Sequence, residues 1–100
     1  MKEIKKINGE LVDVYSTEFT SANILEVKAG TTGVYNPNET DNSGAHTYFA
    51  LNDIGSTQFE INKTRDGVEI ILIGDTELET FIKALKYAVK VLSTHYLRRK

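Results

Sequence analysis

The chain of 100 residues contains no cysteine, no tryptophan and a single proline. Without cysteine there is no disulfide framework and no thiolate metal site, and the fold must be held by its core alone. At this length a core is feasible, because folding can bury about two-thirds of the surface the unfolded chain exposes. Charge of one sign is also missing: twelve Lys and Arg stand against fourteen Asp and Glu, a formal net charge of −2. That balance gives no overall pull towards nucleic acid or anionic membrane. No window approaches the roughly 18 apolar residues of a membrane span, and the opening MKEIKKINGE has no apolar stretch of signal-peptide length, so the expected setting is the cytoplasm, with no membrane partner.

What is present divides into a sheet-forming part, residues 2–73, and a helix-forming part, residues 76–97, within one expected domain, 1–100. Asn8-Gly9, between IKKI and ELVDVY, is the signature of a hairpin turn whose two central residues take positive φ. In NILEVKA, Leu25, Val27 and Ala29 alternate with Ile24, Glu26 and Lys28, the pattern of a half-buried strand. Strand character returns at HTYFALND and TQFEIN, and again at VEIILI after the Arg65-Asp66-Gly67 turn. VEIILI is apolar on both faces and therefore calls for cover on both. The expected fold is α+β: an antiparallel meander of five or six strands, with one C-terminal amphipathic helix packed on one sheet face.

Thr76 and Glu79 have the spacing of a capping box at the start of that helix. Leu78, Phe81, Ile82, Leu85, Val89, Leu92 and Tyr96 form an apolar stripe expected to lie on the sheet, with Leu85 essential to folding or assembly. Ala84, Ala88 and Val91 widen the apolar arc to about half the circumference, more than one sheet covers. The excess predicts a homo-oligomer, most simply a dimer, with Ala84, Tyr87, Ala88 and Val91 on the helix and Ile71 and Ile73 on the last strand as interface residues.

Candidates for chemistry are few. Residues 30–46, GTTGVYNPNETDNSGAH, form the one long irregular stretch, and such loops are often binding loops. Thr31, Thr32, Asp41, Ser43, His46 and Tyr48 are its candidate ligand-binding residues, for a nucleotide or another anion. The stretch has no P-loop lysine and no dinucleotide fingerprint. Between Ala29 and Asn62 there is no Lys or Arg, against Glu39, Asp41, Asp53 and Glu60, so an anion would need cations from elsewhere. The oxygen ligands do not fit a calcium loop, and two histidines without cysteine make no transition-metal site. Asp41, Ser43 and His46 are close in sequence, but without a nucleophile elbow they define no triad. No catalytic residue, metal or cofactor is expected. Lys83, Lys86, Lys90, Arg98, Arg99 and Lys100 follow Glu79 without an acidic residue; they suit the end of a helix dipole and a solvated face better than a nucleic-acid surface.

The segments ILEVKAGTTG, HTYFALNDIGST and GDTELETFIKAL, spanning about residues 24–85, resemble small proteins carried by phages and conjugative elements of Gram-positive bacteria. The resemblance implies a mobile-element accessory protein and brings no chemistry with it. The expected function is a non-enzymatic, homo-oligomeric module that binds a protein partner; the alternative is a small-ligand binder using the 30–48 loop.

Overall fold

A computed structural model describes residues 1–34, 44–55 and 57–97. Six antiparallel strands precede one helix: β1 (Lys2–Ile7), β2 (Glu10–Thr20), β3 (Ile24–Thr31), β4 (Thr47–Gly55), β5 (Phe59–Lys63), β6 (Val68–Leu72) and α1 (Asp75–Thr94). The α+β class and the meander order are as expected, with one difference: β1–β4 form one sheet, and β5–β6 form a separate two-stranded ribbon.

Asn8 and Gly9 turn β1 into β2 with φ of 49° and 82°, the positive values that the Asn-Gly pair tolerates. β2 serves two neighbours in succession. Residues 10–15 pair with β1 and residues 14–20 pair with β3, so the two ladders overlap at Val14 and Tyr15, and Ser16 also exchanges backbone hydrogen bonds with Met1. The stagger brings Gly30 against the β2 backbone, where an added Cβ would run into the carbonyl oxygen of Asp13 and the Cα of Val14. Only glycine permits that approach.

The register places Leu25, Val27 and Ala29 of β3 beside Phe49 and Leu51 of β4 and Tyr15, Thr17 and Phe19 of β2 on one face. α1 packs on this face, chiefly over β3, and the core joins Leu25, Val27, Ala29 and Leu51 to Ala84, Ala88 and Val91. Among the described residues no helix packs on the opposite face. Val12 and Val14 are fully buried there, with Lys5 and Glu3 as their cross-strand neighbours. Lys28 donates to Glu3 at 3.0 Å, and the Lys5 ammonium lies 5.0 Å from the centroid of the Tyr48 ring. Lys28's hydrogen bond holds the Glu3 carboxyl below the usual value, and the same bond raises the Lys28 ammonium.

The helix begins at Asp75, with its N-cap two residues ahead of the Thr76 that the capping-box spacing predicts, and the box is not formed. Gly74 occupies the N-cap with a φ of 125°, and no side chain caps the first turn. Thr76 instead donates to Glu77 Oε1 at 3.0 Å, and the buried Glu77 accepts from the backbone N–H of Gln58 at 3.4 Å through Oε2. One carboxylate thus ties the helix start to the segment entering β5. Asn23 Nδ2 ties the β2–β3 turn to the same end of the helix, donating to Thr80 Oγ1 at 3.1 Å.

The Thr76 hydroxyl and the Glu77 and Gln58 amides lower the Glu77 pKa below 4.5, although burial opposes them. A carboxyl whose folded pKa is depressed contributes stability above its unfolded pKa and loses it as pH falls through the folded value. Glu77→Gln is therefore expected to lower the urea midpoint at pH 7, and the gap between variant and parent should close below about pH 4.5. A gap that stays constant down to pH 3 would show that the charge of Glu77 contributes nothing.

Candidate functional site

On a wheel of 100° per residue, α1 carries two apolar faces of different size. Ala84, Ala88, Val91 and the methyl-bearing Thr80 form the smaller one, and it is this face that the sheet buries. Leu78, Ile82, Leu85 and Val89 form the larger one, and they are exposed by 58, 41, 40 and 62%. Phe81 and Leu92, at the boundary, are partly buried against the core. The expectation that the large residues lie on the sheet is thus corrected. Leu25, Val27 and Leu51 already supply bulk from the sheet side, and close contact with them requires small side chains opposite.

The same finding corrects the expected helix interface. Ala84, Ala88 and Val91 are covered within the chain, and Tyr87 is partly buried in an edge-to-face contact with Phe19 at 6.3 Å. The surface left open lies on the neighbouring arc, along Leu78, Ile82, Leu85 and Val89. Lys86, Lys90 and Lys83 follow one edge of that arc, with Lys83 paired to Glu79 at 3.4 Å.

The second open apolar surface is the β5–β6 ribbon. Its base is held by Phe59, which packs against the core, and by the Gln58 N–H donating to Glu77 Oε2 at 3.4 Å, while the Ile73 N–H donating to the Gln58 carbonyl at 3.2 Å continues the ladder between the two strands. Beyond the base it makes few contacts with the other elements. The register sets Phe59, Ile61, Lys63, Val68, Ile70 and Leu72 on one face and Glu60, Asn62, Glu69 and Ile71 on the other. Ile61, Val68, Ile70, Ile71 and Ile73 are all exposed. A two-stranded hairpin is marginal in water without a covering layer. VEIILI, expected to be covered on both faces, is left exposed on both within the described chain.

The loop candidates are dispersed. Thr31 and Thr47 face the helix side, with their hydroxyls 2.9 Å apart, and Thr31 Oγ1 also accepts from the Gly33 N–H at 3.1 Å. Thr32 Oγ1 accepts from the His46 N–H at 3.0 Å, so that hydroxyl closes the loop's neck. Tyr48 lies on the opposite sheet face beside Lys5. Asp41 and Ser43 lie outside the described residues. Thr31 and Thr32 line a cavity of about 470 Å³ with Glu10, Leu11, Asp13, His95 and Leu97, where the stagger leaves the start of β2 beyond the end of β3. His95, stacked on Tyr15 at 5.1 Å, closes its helix end. Neither His46 nor Tyr48 lines it. Among the described residues no cluster of His, Asp and Glu is arranged to hold a metal ion, and no helix is long and apolar enough to cross a membrane.

The sequence pattern contained a signal for the open helix face: the apolar half-circumference splits into a small-residue arc and a large-residue arc. Ranking by hydrophobicity puts the large arc inwards, whereas packing puts the small arc there. If the small arc is the intramolecular one, Ala84→Leu should overpack the contact with β3 and destabilise the fold by about 1–3 kcal/mol, read as a lower urea midpoint at unchanged slope. An unchanged midpoint would mean the helix does not seat through Ala84. No family model, curated protein or solved structure matches this chain.

Proposed function

We propose that this protein is a non-enzymatic assembly module that works as a homo-oligomer, most simply a dimer, and presents the assembled surface to a protein partner. The observation that carries the reading is the open apolar face of α1, Leu78, Ile82, Leu85 and Val89, together with the uncovered ribbon. The exposed surface exceeds that of an average folded chain of this mass by more than one partner gives to a standard interface. The chain exposes 6982 Å², where a folded monomer of 11.2 kDa is expected to expose about 5,700 Å², an excess of roughly 1,300 Å². A standard interface removes about 800 Å² from each partner. The radius of gyration, 15.5 Å, likewise exceeds the roughly 13 Å of a compact chain of this length. An accessory role in a phage or mobile element is the setting that the sequence resemblance suggests.

A second reading, capture of a small ligand beside the 30–48 loop, has the cavity at Thr31 and Thr32 in its favour. Its lining includes two carboxylates, Glu10 and Asp13, and it lies at the carbonyl end of α1. That polarity supports a neutral or cationic occupant over a nucleotide phosphate.

Sedimentation velocity and native mass spectrometry test the leading reading. The wild-type chain is expected to run as a multiple of 11.2 kDa. Leu85→Asp, on the open face, should give a folded monomer with an unchanged far-UV circular dichroism spectrum. A wild-type chain that stays monomeric at every concentration would overturn the reading, and so would an oligomer indifferent to Leu85→Asp.

A further inference from the structure

The two open surfaces of one chain differ in charge in a way that makes them complementary. The ribbon face that carries Ile71 also carries Glu60 and Glu69: Glu60 is directly opposite Ile71, and Glu69 is opposite Asn62. Ile73, two residues beyond Ile71 and 66% exposed, continues its apolar part. Both carboxylates are exposed, and neither has a cation partner among the described ion pairs, which are Lys2–Asp13, Lys28–Glu3 and Lys83–Glu79. The helix stripe is the counterpart: Leu78, Ile82, Leu85 and Val89, with the exposed Lys86 and Lys90 along one edge, likewise absent from those pairs. Each chain therefore has an apolar surface edged with negative charge and an apolar surface whose edge, acidic at Asp75 and at the Lys83-paired Glu79, becomes positive over its later turns at Lys86 and Lys90. Within one chain the two do not pack on each other, since α1 makes its contacts chiefly with β3 and β2 while β5 and β6 chiefly contact one another.

Resting on the assembly reading above, we infer that the β5–β6 ribbon of one copy seats on the α1 stripe of a second copy, with Ile71 and Ile73 against Ile82 and Leu85 and with Glu60 and Glu69 facing Lys86 and Lys90. The exchange is reciprocal in a two-fold dimer, because each copy offers one ribbon and one stripe. It covers the helix stripe and a ribbon face in a single contact, and the opposed charges set which ribbon face is used. The exposure of Ile71 and Ile73 is what makes the ribbon available to a neighbour.

Charge reversal in pairs tests this directly. Glu60→Lys/Glu69→Lys leaves a chain positive on both surfaces, and Lys86→Glu/Lys90→Glu leaves one negative on both. Each alone is expected to self-associate about tenfold more weakly than wild type, with high salt relieving the defect. Mixed in equal amounts, they should form a heterodimer at near wild-type affinity, since both junctions are then again of opposite charge. Because the chain has no cysteine, a second measurement is clean: a Glu69→Cys chain and a Lys90→Cys chain, mixed under mild oxidation, should yield predominantly the mixed disulfide. Reversed variants that self-associate like wild type, or that fail singly and are not restored by mixing, would overturn the ribbon–helix contact while leaving the assembly reading intact. A wild-type monomer would overturn both.

Discussion

A helix can come close to a sheet only if one of the two facing surfaces is made of small side chains. Here β3 and β4 contribute Leu25, Val27 and Leu51, and α1 answers with Ala84, Ala88, Thr80 and Val91. The remaining surface follows from this fit. Once the small arc is turned inwards, the 3.6-residue period carries Leu78, Ile82, Leu85 and Val89 to the open side, and no rotation of the helix buries both arcs against one sheet. The exposed stripe is thus a consequence of the internal packing.

The split of the meander has a related cause. β4 ends at Gly55, and the chain is then pulled towards the helix start, where the buried Glu77 accepts from Gln58 and Thr57 donates to the Ile24 carbonyl at 3.1 Å. β5 is therefore set at the helix end of the body and does not continue the ladder of β4. It pairs with β6 alone, and a strand pair that would have been covered as part of the main sheet becomes a ribbon with apolar residues on both faces. Phe59 and the Gln58–Glu77 hydrogen bond fix the base, and most of the remaining apolar residues are exposed.

The stagger of β2 between β1 and β3 shapes the other end of the molecule. It leaves Glu10, Leu11 and Asp13 without a β3 neighbour and opens the cavity that His95 and Leu97 close from the helix side. The loop's threonines serve its neck: Thr31 binds Thr47 and Gly33, and Thr32 binds the His46 amide. Local hydrogen bonding of this kind is the usual employment of threonine at a strand end. It accounts for Thr31 and Thr32 without recourse to a ligand.

Much of the architecture was legible from local pattern. Period-2 alternation marked the faces of β3 and β4, Asn8-Gly9 marked the first hairpin, Arg65-Asp66-Gly67 marked the last, and the helix was out by only one residue at its start and three at its end. These features depend on neighbours a few residues apart, so sequence by itself determined them. Which arc of the helix faces the sheet, whether β5 joins β4, and which loop side chains share a cavity were decided only in the tertiary structure. Each depends on the combined bulk or direction of segments far apart in the chain, and hydrophobicity along one segment carries no information about the size of the side chains it will meet.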